Sequence, residues 1–285
     1  MTQMATARPV NDKHAVTAVL FGVEFAKNVE GDLLRQIEVI KPEFEDTLPI
    51  YGLQQNVSVQ GKPSPDGKFE IVSQGATEYA GFVMHSLKPD GRIDHQLSVE
   101  AKLIKYVAFR YSSWTDIWPF VERLLSACIT AINGQWPIKS FTLEYNDRFT
   151  WEEGVDYDAA HVFRERTEFV APKALASKTA WHSNNAFFEM HPFRDTGDEW
   201  ARLVTVRSNV ARIMISNKMR WAATIKTNLR DSFNPGLINW QDPAESIALL
   251  SERFPLLHEK SKEVLASIIN DAQMANINLY GGQDA

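Results

Sequence analysis

A run of basic residues between positions 200 and 230 is the strongest chemical signal in the chain. It holds seven of the 30 basic residues and none of the 36 acidic ones, although the net charge of the whole chain is −6. Alternate side chains of a strand share a face, so such a segment can gather cations on one side of a sheet and neutralise phosphates. The residues predicted to bind an anion or nucleic acid are Arg202, Arg207, Arg220, Lys226 and Arg230. The alternative is a solvated face whose charges meet acidic residues elsewhere in the chain.

A second polar group occurs in the segment 139–149, for which the pattern predicts a strand. The segment contains Tyr145, Asp147 and Arg148, and Tyr145 and Asp147 would share one face of the strand. These three residues are the candidate pocket. A buried hydrogen bond between the tyrosine and the aspartate would account for them as well.

Asp156, Asp158 and His161 form the nearest approach to a metal or acid–base cluster. Two carboxylates and an imidazole can hold a divalent ion where the backbone bends suitably. Neighbouring aspartates are also typical of exposed turns, and the seven histidines show no metal-ligand spacing. The sequence therefore predicts no metal site and no cofactor.

Signatures of the common enzyme classes are absent from the sequence. There is no phosphate-binding loop, no dinucleotide-binding glycine triplet and no nucleophile elbow. The single cysteine, Cys128, excludes an internal disulfide, and its place on an apolar helix face predicts a core residue. These absences disfavour the common NTPases, dehydrogenases and hydrolases, and no catalytic residue is predicted.

An amphipathic helix between two strands is the clearest structural element. Its apolar stripe has helical spacing and comprises Ile117, Phe120, Val121, Leu124, Leu125, Cys128 and Ile132. Gly134 is expected to end the helix. Because Pro119 would lie six residues inside a helix capped by Ser113, we expect Thr115 to be the N-cap.

The remaining pattern predicts an α+β fold with mainly antiparallel sheets and two similar halves. Pro65-Asp66-Gly67 and Pro89-Asp90-Gly91 predict turns between early strands. Strands near 187–191, 200–206 and 219–229 suggest a second sheet, and a long C-terminal helix is expected to kink or restart at Pro255. The predicted organisation is a flexible N-terminus (1–15), an N-terminal subdomain (16–151), a C-terminal subdomain (152–280) and a polar tail (281–285).

Composition indicates a globular protein without a membrane anchor. Apolar residues make up 44% of the chain and charged residues 23%. No apolar run reaches the roughly 18 residues that a membrane helix needs, and the first 13 residues lack the apolar core of a signal peptide. We therefore expect a cytoplasmic location.

Three segments carry a family resemblance. They are the first predicted strand with Val19, Phe21 and Phe25; residues 110–114 (Arg-Tyr-Ser-Ser-Trp) with 143–148 (Leu-Glu-Tyr-Asn-Asp-Arg); and residues 256–259 (Leu-Leu-His-Glu). In these motifs the chain resembles a sporadically distributed family of uncharacterised prokaryotic proteins of similar length. That family prefers arginine and asparagine where this chain has Glu144 and Asp147. The resemblance implies no established activity, and the patchy distribution implies genes carried in mobile or defence clusters.

Three functions remain open from the sequence. The leading hypothesis is a non-catalytic binding component of a multi-gene system, such as antiviral defence or toxin–antitoxin, with a protein partner encoded nearby. The second is a nucleic-acid-binding protein that uses the basic sheet face. The third is a metal-dependent or acid–base enzyme centred on Asp147, Asp156, Asp158 or His161.

Overall fold

The computed structural model of the protein describes residues 7–11, 13–64, 66, 69–132, 136–193, 198–234, 236 and 238–280. The strands are β1 (Arg8–Pro9), β2 (Val16–Phe25), β3 (Ile50–Pro63), β4 (Phe69–Leu87), β5 (Ile93–Glu100), β6 (Leu103–Ala108), β7 (Ile138–Thr150), β8 (Trp181–Phe193), β9 (Asp198–Ile215) and β10 (Lys218–Ser232). The α-helices are α1 (Gly31–Ile37), α2 (Lys41–Phe44), α3 (Trp114–Ala131), α4 (Pro172–Leu175), α5 (Pro243–Ile268) and α6 (Asp271–Asn276).

All ten strands belong to one antiparallel sheet. Its order is β3-β4-β5-β6-β2-β7-β10-β9-β8, and β1 pairs separately with β7. The prediction of a second sheet is wrong, because β7 hydrogen-bonds to β2 on one side and to β10 on the other. Outward from the central β2–β7 pair the order is β6-β5-β4-β3 on one side and β10-β9-β8 on the other, and a long helix, α3 or α5, follows each series in the chain. The α+β class, the central helix and the long C-terminal helix are confirmed, whereas the subdomain boundaries stay a prediction.

The main core lies between the sheet and the helices α3 and α5. In β7 every second residue from Phe141 to Phe149 is buried, as period-two alternation requires. Phe254 of α5 packs against Phe21 of β2 and Phe141 of β7, with ring centroids 5.5 and 5.6 Å apart. Cys128 of α3 is fully buried, which confirms its prediction as a core residue, and burial raises the pKa of its thiol. The side chains on this face of the sheet are therefore fixed by packing.

The start of α3 differs from its prediction. Ser113 is the N-cap, and its hydroxyl accepts a hydrogen bond from the Asp116 backbone N–H at 3.2 Å. Pro119 lies inside the helix and removes one bond, to the carbonyl of Thr115. Thr115 is exposed, so water can satisfy that carbonyl. The stabilisation by the Ser113 cap thus exceeds the cost of Pro119, which is the loss of one hydrogen bond to a carbonyl that water can reach.

We expect Ser113→Ala to lower the free energy of unfolding by about 1 kcal/mol, the usual loss for an N-cap hydroxyl. Thr115→Ala is the matched control, because Thr115 does not cap the helix, and it should cost clearly less. Urea denaturation of both variants measures the difference. Equal losses would contradict the assignment of Ser113 as the cap.

Two further predictions concern helix and turn signals. The C-terminal helix runs without interruption through Pro255, so it does not restart there, and the alternative of a kink stays a prediction. Gly91 has a positive φ of 82°, which the predicted turn requires. Gly134, Pro65 and Gly67 lie outside the described residues.

Within the described ranges, no helix combines the length and the apolar character needed to cross a membrane. The cytoplasmic location stays a prediction.

Candidate functional site

The basic residues predicted to act together occupy both faces of the sheet. Arg220, Lys226 and Arg230 alternate with buried residues of β10 and share its polar face, and Arg207 of β9 lies directly opposite Lys226. Arg202, which was expected to join them, is buried on the other face. Its guanidinium group binds the carboxylate of Asp231 through Nε and Nη2, at 2.7 and 3.0 Å. The structure therefore places four of these five cations on one face of the sheet, spread along β9 and β10.

Carboxylates from neighbouring strands are interleaved with this polar face. The Lys226 ammonium lies 2.7 Å from a Glu144 oxygen, and the Arg230 guanidinium lies 4.0 Å from a Glu24 oxygen. Mixed charge of this kind weakens the attraction of the face for phosphates. Binding of nucleic acid by this face stays a prediction.

Asp156, Asp158 and His161 have separate structural surroundings. Asp156 is exposed, and the Asp158 carboxylate accepts the Ala160 backbone N–H at 3.1 Å to cap a short helical turn. The His161 ring accepts the indole N–H of Trp151 at 3.3 Å. Among the described residues no group of three or more histidine, cysteine, aspartate or glutamate side chains has metal-binding geometry.

A cavity of about 840 Å³ lies on the helix-covered side of the sheet. Its floor comes from Asp147 of β7 and Thr227 of β10, its walls from Tyr145, the segment 111–116 and the middle of α5, and its outer part from the segments around residues 11–16 and 277–279. Tyr145 and Asp147 from the candidate pocket both line it. Arg148 does not, because it points to the opposite face of β7. Segments far apart in sequence thus converge on one concave site.

Asp147 is the most unusual residue of the cavity. It is only 2% exposed, and it lies between Val16 of β2 and Ile225 of β10 in the sheet. From the described part of the chain its side chain receives no ion pair or hydrogen bond. Burial alone raises the pKa of its carboxyl group from 3.8 to about 7. A carboxyl group that has no counter-ion among the described residues therefore faces the cavity.

Tyr145 and His258 form the wall next to Asp147. A hydrogen bond of 2.9 Å joins the Tyr145 hydroxyl to Nδ1 of His258, so the predicted Tyr–Asp bond is replaced by a Tyr–His bond. The His258 ring stacks on Trp114, with centroids 4.3 Å apart and planes 3° apart. Burial lowers the pKa of His258 to about 4, so the ring is neutral at neutral pH. This wall is aromatic, rigid and uncharged.

The outer part of the cavity is more polar. Tyr111 packs edge-on against both His14 and Tyr145, at centroid distances of 5.4 and 5.8 Å. Burial raises the pKa of Tyr111 to about 12 and lowers that of His14. Asp116 accepts the hydroxyl of Ser112 at 2.7 Å beside the start of α3. These groups separate the buried floor from the solvent.

Thr227 completes the floor. It is 1% exposed, lies opposite Tyr145 in the sheet and lines the cavity. Its hydroxyl oxygen has no hydrogen-bond partner among the described residues. Buried hydroxyl groups are normally satisfied, so an unpartnered one at a cavity indicates a place for a ligand or water. Asp147 and Thr227 together present free polar atoms at the floor.

Sequence analysis missed Thr227, Tyr111, Trp114 and His258. A polar residue at an inward position of an otherwise apolar strand face was the available signal for Thr227. Tyr111, Trp114 and His258 all fall within the motifs that carry the family resemblance. Their convergence depends on the sheet order, which no local pattern reveals.

Comparison with known proteins does not assign the chain to a family. Neither a scan against protein-family models nor a search of curated protein sequences found a match to the chain. This outcome is consistent with the resemblance to a poorly represented family of uncharacterised proteins.

Proposed function

We propose that the protein is a non-catalytic binding component that holds a small molecule in the cavity between β7, β10, α3 and α5. The observation that carries this proposal is the pair of buried polar side chains, Asp147 and Thr227, that line the cavity without a partner in the described chain. Leaving such groups unpaired costs free energy, which a ligand with matching donors would recover. Binding of a protein partner within a multi-gene system stays a separate prediction.

The size and lining of the cavity suit a small organic ligand. Ligand sites usually have volumes of about 300–1,000 Å³, mostly apolar walls and a few converging polar groups. This cavity, at about 840 Å³, has aromatic walls from Tyr111, Trp114 and Tyr145 and a polar floor. Its walls are held by stacking and hydrogen bonding within the protein, so the site is already formed before a ligand enters.

An acid–base enzyme is the second candidate, and one observation favours it. A pKa near 7 at Asp147 is suited to a general acid or base at neutral pH. The serine hydroxyl groups of the cavity are already engaged, because Ser112 donates to Asp116, Ser113 caps α3 and Ser261 donates to the His258 carbonyl at 2.7 Å. We therefore place binding ahead of catalysis.

A fragment screen by NMR tests the binding function. The probe is a library of several hundred compounds that includes matched cationic, neutral and anionic members, added to ¹⁵N-labelled protein. We expect the hits to shift the backbone resonances of Tyr111, Tyr145 and Thr227. A screen in which no fragment shifts these resonances would contradict the proposal.

Two variants of the same strand provide the control. Thr227→Phe places a larger side chain in the cavity and should weaken the cavity hits at least tenfold. Thr224→Phe makes the same change on the opposite face of β10 and should leave them unchanged. Equal effects of the two variants would show that the fragments bind elsewhere.

A further inference from the structure

We propose that the ligand of this cavity is a small organic cation, whose protonated primary amine forms an ion pair with the Asp147 carboxylate at the floor. The inference rests on the proposed binding function and specifies the ligand class. It starts from one fact of geometry, namely that Asp147 is 2% exposed and lines the cavity without an ion pair or hydrogen bond from the described residues. A buried carboxylate needs a counter-ion or several donors to be stable in its charged form.

The groups around Asp147 do not supply that counter-ion. Tyr145 on the same strand, Tyr111 before α3 and His258 on α5 are neutral at neutral pH, as their shifted pKa values show. Thr227 on β10 contributes a hydroxyl group. Each of these neighbours can accept or share a hydrogen bond, but none carries a positive charge.

The charged residues of the cavity are engaged elsewhere or lie towards its outer part. The Lys262 ammonium lies 3.2 Å from the Glu259 carboxylate, one turn away on α5. Lys13 is exposed, and neither it nor His14 nor Asp116 shifts the pKa of Asp147, which burial alone raises. The described residues thus place no positive charge beside Asp147, and the proposed ligand supplies one.

A primary ammonium group fits this floor better than the alternatives. It can donate one hydrogen bond to the carboxylate and a second to the unpartnered Thr227 hydroxyl. The tyrosine rings beside it favour a cation further, because their faces are electron-rich. An anionic ligand would have to approach a carboxyl group in a site of low dielectric, where repulsion between like charges is strong.

Proton linkage follows from the same arrangement. The Asp147 carboxyl group must lose its proton to pair with an ammonium group. Because its pKa is about 7 in the empty cavity, this deprotonation costs free energy at pH values below 7. Between pH 5.5 and pH 8 the ionised fraction of Asp147 rises about thirtyfold. We therefore expect the affinity for an amine to increase at least tenfold over this range.

Isothermal titration calorimetry with three probes tests the inference. The probes are 2-phenylethylamine, 2-phenylethanol and phenylacetate, which share a phenyl group and differ in charge. At pH 8 the amine should bind at least tenfold more tightly than the alcohol or the carboxylate. At pH 6.5, titrations in buffers of different ionisation enthalpy should reveal proton release on amine binding.

Asp147→Asn is the decisive variant, because it removes the charge and keeps the shape. In this variant the amine should lose its advantage over the alcohol and its pH dependence. Asp156→Asn, which removes an exposed carboxylate outside the cavity lining, is the matched control and should retain both. The inference is overturned if the amine has no advantage in the native protein, or if Asp147→Asn preserves that advantage.

The two proposals fail in different ways. Fragments that bind in the cavity without preference for cations would contradict the proposal of an amine ligand but not the proposed binding function. A cavity that accepts no fragment of any charge would overturn both.

Discussion

Asp147→Asn is expected to raise the free energy of unfolding by about 4 kcal/mol at pH 8 and to leave it nearly unchanged at pH 4. Burial raises the pKa of Asp147 from 3.8 to about 7 in the folded protein. The unfolded chain therefore ionises this group at lower pH than the folded one, and the native protein loses stability as the pH rises between these values. Asparagine is never charged, so the variant escapes this loss.

Urea denaturation of the ligand-free protein and the variant at several pH values measures the effect. The difference between their unfolding free energies should grow from pH 4 to pH 7 and then level off. Asp156→Asn removes an exposed carboxylate and controls for the change in net charge. A difference that does not vary with pH would mean that ionisation of Asp147 is not coupled to folding.

Arg202→Met is expected to destabilise the protein by about 3–5 kcal/mol, the usual cost of removing one partner of a buried ion pair. Asp231 is fully buried, and both of its carboxylate oxygens accept hydrogen bonds from Arg202. The guanidinium group also lies 5.1 Å from the ring centre of Trp200. Without Arg202 the charged form of Asp231 loses its bidentate partner.

Two further variants separate the ion pair from general effects of the substitution. Arg207→Met changes an exposed arginine of the same strand and should alter stability by no more than about 0.5 kcal/mol. The double variant Arg202→Met/Asp231→Leu removes both charges and should recover much of the loss. If the double variant is as unstable as Arg202→Met, the loss of stability comes from packing and not from an uncompensated charge.

Local patterns predicted the elements of the fold well. The apolar stripe of α3 and the alternation along β10 are properties of neighbouring residues, and the structure confirms both. The predicted N-cap at Thr115 was wrong, and Ser113 is the cap, because the cost of Pro119 depends on solvent access to one carbonyl. The single sheet was wrong for a different reason, since only the pairing of β7 with two partners decides it.

The candidate site was predicted only in part. Alternation along β7 correctly put Tyr145 and Asp147 on one face, and both line the cavity. Alternation alone cannot show which face of the sheet Arg202 occupies, because that depends on how β9 pairs with β10. The prediction that Arg202 shares the face of Arg220 and Lys226 was therefore wrong. Thr227 and His258 reach the cavity from strands and helices about 80 to 110 positions later in the chain. A site assembled from such distant segments leaves little trace in any local pattern.

The central position of β2 and β7 in the sheet determines how a truncated chain would behave. Each of these strands is flanked on both sides, by β6 and β7 in one case and by β2 and β10 in the other. Truncation after β7 would expose its long, regular backbone edge, which is the kind of edge that recruits strands from other molecules. Fragments that end after β7 would therefore tend to aggregate, and in the intact sheet β10 covers this edge of β7.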